Sequence, residues 1–290
     1  MSNEPDWQQL LKWDQPVTGI NPAVAESEAA KHEQSVDQIA FPSAVLVVGA
    51  CGGAGSTTTA LGVANASAVA GDSPVAIDAT IGGGDLVDRG AAMAPSEYTV
   101  EQLLATADAN GVLNDEAFAA CASATSVGAA ILHQAGDREP DCDLRPLDPY
   151  LRYRGFPAIY DAGRVWRPAH VRPLRWLNPA TPIVLTVPSR PDAFNRLRYS
   201  LDCLANFGGV NRLQSTVIAV TNQRPGIRPE DVAALRQHLA GRVVALVEVP
   251  YDEELALGGV VDYDRLRPPT VAAYDEICAA LVGATAMATR

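Results

Sequence analysis

Lysine is almost missing from this chain of 290 residues. It has only two lysines, Lys12 and Lys31, against twenty arginines. A domain that begins after residue 40 therefore contains no ammonium group that could bind a phosphate. Any site in such a domain that needs a cation must use arginine, whose head group is larger and planar.

Other absences narrow the class of protein. The five cysteines show neither paired nor metal-ligand spacing, which is typical of a reduced, cytoplasmic protein. No apolar run approaches the roughly 20 residues of a membrane span, and no basic, apolar leader is evident at the start. The formal net charge of −12 argues against a broad nucleic-acid-binding surface. We expect a cytoplasmic protein without a membrane span, for which nucleic acid is not the main partner.

The chain divides into a polar tail (1–40) and one large domain (41–290). The tail contains one amphipathic segment, Trp7–Trp13, which either packs back on the domain or docks into a partner's groove. The domain has seven short apolar runs that predict strands: Ala44–Val48, Pro74–Asp78, Ala129–His133, Pro157–Asp161, Pro182–Val187, Ser215–Thr221 and Val243–Val249. Helical segments lie between most of them. This alternation predicts a doubly wound α/β fold, with a mostly parallel sheet of seven to eight strands and helices on both faces.

A glycine-rich loop follows the first predicted strand. Residues 44–60 read AVLVVGACGGAGSTTTA, so that a strand, a flexible loop and a helix start follow one another. Loop amides and the helix dipole together form an anion cradle. A standard phosphate-binding loop ends in Gly-Lys-Ser/Thr, but Ser56 follows Gly55 here. The alternative interpretation of this stretch is a purely structural glycine turn in a doubly wound fold.

Residues at the ends of later predicted strands converge on one edge of the sheet, because the carboxyl ends of parallel strands meet there. Ligands of such sheets bind at this edge. Asp78, Asp161, Asn222 and Pro250 occupy these positions. Each polar residue also has a structural interpretation. The two aspartates can cap loops, Asn222 can form a turn, and Thr57 can start a helix.

In these motifs the chain resembles the ParA/MinD family of deviant phosphate-loop (SIMIBI-type) ATPases, over about residues 43–286. The family's loop pattern, Lys-Gly-Gly-x-Gly-Lys-Thr-Thr, falls on Cys51–Thr58. The resemblance implies a dimeric, ATP-switched protein. It implies a nucleotide cradle made of Gly52, Gly53, Ala54, Gly55, Ser56, Thr57 and Thr58, with Asn222 on the adenine side and Pro250 after the seventh strand. It further implies Mg²⁺ held by Thr57, with Asp161 as the Walker B acid.

Three charged groups of the family are missing together. Cys51 and Ser56 replace the two lysines, and Thr80 replaces the acid that orients the attacking water. Loss of such charges costs orders of magnitude in phosphoryl-transfer rate, so we expect negligible turnover, with Asp78 and Asp161 as the remaining catalytic candidates. ATP or ADP with Mg²⁺ would bind weakly or not at all. A low-pKa thiol and a small space-filling residue are the two interpretations of Cys51.

Three functions are compatible with this pattern. The first is a pseudo-ATPase scaffold or regulator, homodimeric or paired with a ParA/MinD-like paralogue, that acts in positioning, partition or secretion-apparatus assembly. The second is an active ATPase in which an arginine, with Arg164 nearest, replaces the lysines. The third is a DNA-partition protein that uses an arginine-rich region (138–175). Residues 249–268 also resemble actinobacterial MinD-like proteins, some of which accompany type VII secretion.

Overall fold

A computed structural model describes residues 40–81, 83–108, 111–136, 142–164, 172–225 and 229–288. An eight-stranded sheet with the order β3-β4-β2-β5-β1-β6-β7-β8 forms its centre. The strands are β1 (Ala44–Gly49), β2 (Val75–Asp78), β3 (Ser123–Ala124), β4 (Ala130–Leu132), β5 (Ala158–Arg164), β6 (Ile183–Pro188), β7 (Thr216–Thr221) and β8 (Ala245–Val249). All neighbouring pairs are parallel except β3 with β4.

Helices cover both faces of the sheet. They are α1 (Ser56–Val69), α2 (Leu86–Gly90), α3 (Val100–Leu104), α4 (Asp115–Cys121), α5 (Leu147–Tyr153), α6 (Pro191–Gln214), α7 (Pro229–Leu239), α8 (Glu253–Ala256) and α9 (Pro268–Ala288), with 3₁₀ turns at Arg172–Arg175 and Tyr263–Arg265. Within the ranges given above, no helix combines the length and apolar character that a membrane crossing requires.

The apolar alternation of β1 explains the two-sided core. Leu46 and Val48 pack into one hydrophobic cluster, whereas Val45 and Val47 pack into the other. All four side chains are fully buried. Because successive side chains of a strand point to opposite faces, a strand that is apolar throughout must be covered on both. The predicted doubly wound α/β fold is confirmed.

The structure differs from the sequence prediction mainly at short elements. All seven predicted strands are present, but the two-residue β3 was not predicted. The structure also contains the short helices α2, α5 and α8, which no sequence pattern indicated. Helices this short show no 3.6-residue periodicity that could reveal them. The predicted tail segment Trp7–Trp13 lies outside the described residues.

Strand β5 continues past its predicted end at Asp161. Its last residue, Arg164, is in register with Gly49, the last residue of β1. This extension brings an arginine to the edge of the sheet at which the glycine loop begins.

Helices α1 and α9 pack against each other through a glycine. A Cβ placed on Gly62 would lie 2.3 Å from ring atoms of Tyr274. The Tyr274 side chain is fully buried, and the ring therefore has little room to move. The close approach of these two helices depends on the absence of a side chain at position 62.

We expect Gly62→Ala to destabilise the fold by about 2–3 kcal/mol, because overpacking of a core forces side chains and backbone apart. The matched control is Gly283→Ala, also in a helix, where a new Cβ meets nothing within 4 Å. That variant should gain up to about 1 kcal/mol from helix propensity. Urea unfolding of both variants measures the difference, and equal stabilities would contradict the packing argument.

Candidate functional site

The glycine loop joins β1 to α1 at the centre of the sheet. Gly53 and Gly55 adopt positive φ values of 69° and 83°, which glycine tolerates better than other residues. Gly55 is the N-cap of α1, and no side chain caps this helix start. The first-turn amides of a helix have no partners within the helix. The loop therefore presents free donors and the positive end of a helix dipole to an anion.

Residues at the end of β7 hold this loop in place. The Thr221 hydroxyl donates a hydrogen bond to the Ala54 carbonyl at 3.0 Å. The Gln223 amide donates to the Gly53 carbonyl. Both contacts bind loop carbonyls to the end of β7, so these two carbonyls have partners within the protein. Neither Thr221 nor Gln223 was singled out in the sequence, because their role depends on β7 lying two strands from β1.

Thr57 connects the helix start to two carboxylates. Its hydroxyl lies 2.6 Å from Oδ2 of Asp161 and 3.1 Å from Oδ1 of Asp85. The Gly163 amide donates to Oδ1 of Asp161 at 3.1 Å. The Thr57 hydroxyl therefore joins two acids rather than capping the helix. Asp161 stands at the predicted Walker B position, whereas the role of Asp85 was missed although it ends a conspicuous glycine run.

Burial determines the protonation of Asp161. The side chain is fully buried, and this burial raises its pKa to about 6, while its hydrogen bond with Thr57 lowers it in part. Asp78 is its register neighbour on β2, and repulsion between the two carboxylates raises the pKa further. The site thus contains buried negative charge that is only partly compensated.

The donors at this position suit Mg²⁺. The Thr57 hydroxyl and the carboxylates of Asp85 and Asp161 are oxygen ligands, which Mg²⁺ prefers. No group of three His, Cys, Asp or Glu side chains able to hold a metal occurs among the described residues. An ion here would therefore rely on phosphate oxygens of a ligand for the rest of its coordination, as Mg²⁺ commonly does.

Asp78 organises the loop that follows β2. Its Oδ1 accepts from the Thr80 amide at 3.0 Å and from the Thr80 hydroxyl at 2.6 Å, and its Oδ2 accepts from the Gly84 amide at 2.6 Å. The Gln134 amide donates to the carbonyl oxygens of Asp78 and Thr80, both at 2.9 Å. Burial raises the pKa of Asp78. The loop-capping interpretation of Asp78 describes these contacts, and this loop carries Asp85 to Thr57.

A cavity of about 260 Å³ opens on one side of the glycine loop. Its lining includes Gly55, Thr58, Asn222 and Pro250, which brings together loop and strand-end residues predicted to bind nucleotide. The Asn222 amide nitrogen donates to Glu248 of β8 at 2.8 Å, and its buried Oδ1 has no partner. An unpaired buried acceptor is costly. A ligand amino group in the cavity would satisfy it.

A second, larger cavity of about 810 Å³ lies on the other side of the loop. Cys51, Gly52, Arg164 and Arg196 are among its lining residues. An Arg164 Nη atom lies 3.8 Å from the position a Cβ on Gly52 would take. Burial raises the pKa of the Cys51 thiol, which outweighs the lowering by Arg190. This direction favours the space-filling interpretation of Cys51 over a reactive thiolate.

Three arginines of the arginine-rich region form ion pairs with acids of the same chain. Arg145 pairs with Asp143, Arg152 with Asp148, and Arg154 with Asp115. Trp176 packs edge-on against Tyr160, with ring centroids 5.3 Å apart. Residues 137–141 and 165–171 of the region lie outside the described residues. The pairs that are seen match solvated surface charge rather than a DNA-binding surface.

A glycine loop before a helix, at the carboxyl edge of a parallel sheet, is the arrangement of the phosphate-loop α/β folds. The ParA family ATPase from Chlorobium tepidum TLS has a similar structure, with a TM-score of 0.64 and 16% identity, covering 81% of this chain and 98% of that one. The MinD protein of Pyrococcus horikoshii OT3, complexed with Mg-ADP, gives a TM-score of 0.55 at 18% identity, covering 81% and 93%. The Aquifex aeolicus MinC:MinD complex gives 0.58 at 14%, covering 83% and 96%.

The chain therefore has the ParA/MinD fold, and the resemblance predicted from the sequence is confirmed at the level of fold. Neither a family model nor a curated protein sequence matches the chain. Sequence identities of 14–18% show that the fold is shared and nothing more. The chemistry of the site therefore has to be inferred from its own residues.

We expect Asp161→Asn to stabilise the protein at pH 7.5 and to leave it unchanged near pH 3. The folded-state pKa of Asp161 is raised from 3.8 to about 6. Its contribution to stability is therefore fully present below pH 3.8 and is lost as the pH rises through 6. The shift corresponds to at most about 3 kcal/mol. Urea unfolding across this pH range measures the effect, and a pH-independent difference would contradict it.

Proposed function

We propose that this protein is a nucleotide-binding regulator of the ParA/MinD type that holds ATP or ADP with Mg²⁺ and hydrolyses ATP negligibly. The observation that carries the proposal is a contrast within one site. The amide cradle, the adjoining cavity and the Thr57–Asp161 pair are all formed, yet the loop has no lysine. Its positions 51 and 56 hold cysteine and serine.

Binding is supported by groups that lack partners within the protein. No side chain caps the N-terminus of α1. The Oδ1 atom of Asn222 is buried and accepts no hydrogen bond. A phosphate chain would satisfy the amides, and an adenine amino group would satisfy Asn222. A Mg²⁺ ion between Thr57, Asp161 and the phosphates would offset the buried carboxylate charge. The Pyrococcus horikoshii neighbour is a complex with Mg-ADP.

Slow hydrolysis follows from the missing charges. Phosphoryl transfer depends on cations that stabilise charge on the transferred group, and loss of one such group costs roughly 10³–10⁵ in rate. Thr80 occupies the position of the water-orienting acid, and its hydroxyl is committed to Asp78. Neither Thr80 nor Asp78 is left to activate a water molecule.

Such a protein would act by binding others. We propose that it forms a homodimer or pairs with a ParA/MinD-like paralogue, as a scaffold in positioning, partition or secretion-apparatus assembly. The Aquifex aeolicus neighbour is a complex of MinD with MinC, which provides a precedent for a protein partner. Tyr199, at the larger cavity, is 70% exposed, and Leu257, just after α8, is 73% exposed. These two exposed side chains would be accessible to a partner.

A second candidate, an ATPase that uses Arg164 in place of lysine, is favoured by the position of its guanidinium beside Gly52. Arginine is a strong phosphate ligand. The two candidates differ in turnover. The first gives binding without release of phosphate, whereas the second gives release that Arg164→Ala abolishes.

We expect calorimetry to show binding of ATP and ADP in the presence of Mg²⁺, while a coupled phosphate assay shows release at background level. Arg164→Ala should leave that background unchanged. Turnover comparable to that of active ParA/MinD ATPases would overturn the proposal, and its loss in Arg164→Ala would establish the second candidate. Absence of binding would show that the glycine loop is only a feature of the fold.

Restoring one lysine provides a complementary test. Ser56→Lys should tighten ATP binding roughly tenfold to a hundredfold, because charge-assisted hydrogen bonds contribute more than neutral ones. Ser56→Ala is the matched control and should bind ATP about as the natural protein does. An unchanged or weaker affinity in Ser56→Lys would show that phosphates do not lie in the loop.

A further inference from the structure

Arg89 reaches the start of α1 from outside the glycine loop. Arg89 belongs to the short helix α2, and an Nη atom lies 3.4 Å from the Thr58 hydroxyl and 3.4 Å from the Leu255 carbonyl. The Arg89 carbonyl accepts from the Val261 amide at 2.7 Å. Arg89 thus connects three separate parts of the chain: α2, the first turn of α1, and the segment around α8.

No carboxylate of the described residues forms an ion pair with Arg89. Its side chain is half-buried. A hydroxyl and a carbonyl, both at the long end of hydrogen-bond distance, are its observed contacts. A partly buried guanidinium without a carboxylate is an unsatisfied cation, which favours an anionic ligand.

The position of Arg89 relative to the smaller cavity indicates which ligand this is. Thr58 and Leu255, its two contacts, both line that cavity, and so does Tyr274. The charge of Arg89 lowers the pKa of Tyr274, although burial raises that pKa overall. The cavity runs from Gly55 of the loop to Asn222 and Pro250. Arg89 therefore contacts two residues of the cavity wall, one in the first turn of α1 and one in α8.

A glycine of the segment after α8 lies beside the guanidinium. Gly258 has φ 74°, and a Cβ there would lie 3.5 Å from an Arg89 Nη atom. The segment after α8 thus lies within contact distance of the guanidinium. Arg164, by contrast, lies at Gly52 on the opposite side of the loop, where the larger cavity opens.

We propose that Arg89 is a phosphate-binding residue that supplies charge to the part of the phosphate chain nearest the nucleoside. This inference rests on the proposed nucleotide binding. It places a cation for the inner phosphates on an element of the fold other than the glycine loop. A guanidinium at Thr58 meets phosphates that ATP and ADP share. The site therefore binds the two nucleotides with similar affinity and does not depend on the terminal phosphate of ATP.

The test compares ATP, ADP and adenosine by calorimetry with the natural protein and with Arg89→Ala. Arg89→Ala should weaken ATP and ADP equally, by roughly tenfold to a hundredfold, and leave adenosine unchanged. Arg89→Lys keeps the positive charge but loses the planar guanidinium. Its affinity for ATP and ADP should lie between those of the natural protein and Arg89→Ala. The matched control is Arg265→Ala, which removes an exposed arginine that pairs with Glu254 of α8 and should bind all three ligands normally.

The outcomes distinguish the role of Arg89 from the proposed nucleotide binding on which it rests. Unchanged ADP affinity in Arg89→Ala, or a loss confined to ATP, would overturn the role of Arg89 while leaving nucleotide binding intact. An equal loss for adenosine and ADP would show that Arg89 only supports the fold around the cavity. Failure of the natural protein to bind either nucleotide would overturn the proposed function and this inference together.

Discussion

The hydrogen bond between Thr57 and Asp161 joins the parts of the molecule on which the site depends. Asp161 belongs to β5, which pairs with both β1 and β2 at the middle of the sheet. Thr57 belongs to the first turn of α1, directly after the glycine loop. One contact of 2.6 Å therefore fixes the helix start relative to the strand ends. The direction of the free amides, and with it the anion cradle, follows from this contact.

The Asp161 carboxylate of this contact lies close to a second buried carboxylate, and the two repel each other. Asp78 and Asp161 are buried side by side, and their pKa values are raised because burial disfavours the ionised form. A loop lysine would compensate such a site, yet none exists. Cations approach from other elements instead: Arg164 at the end of β5 and Arg89 on α2. We interpret the site as one that binds an anionic ligand together with a cation, without the charges that would accelerate a reaction.

The fold was largely predictable because its signals are local. An apolar strand, a glycine loop and a helix start can each be recognised within about 10 residues, and alternating strands and helices imply a parallel sheet. The predicted loop residues Gly55 and Thr58 do line one cavity with Asn222 and Pro250. The weaker predictions concerned short helices, whose few residues show no periodicity.

The cations and the third carboxylate could not be predicted in the same way. Arg89 contacts Leu255, which lies 166 residues further along the chain. Asp85 reaches Thr57 because the Asp78 carboxylate folds the intervening loop. Arg164 lies beside Gly52 because β5 extends beyond its predicted end. Each role depends on tertiary contacts rather than on a sequence pattern.

Hydrogen–deuterium exchange with and without ATP and Mg²⁺ tests the central claim most directly, since it detects ligand binding whether or not hydrolysis occurs. The account predicts slower exchange in two segments far apart in sequence, residues 52–59 and residues 249–258, with little change in β3 and α4. Exchange that is identical in both conditions would contradict the claim that the glycine loop binds a nucleotide.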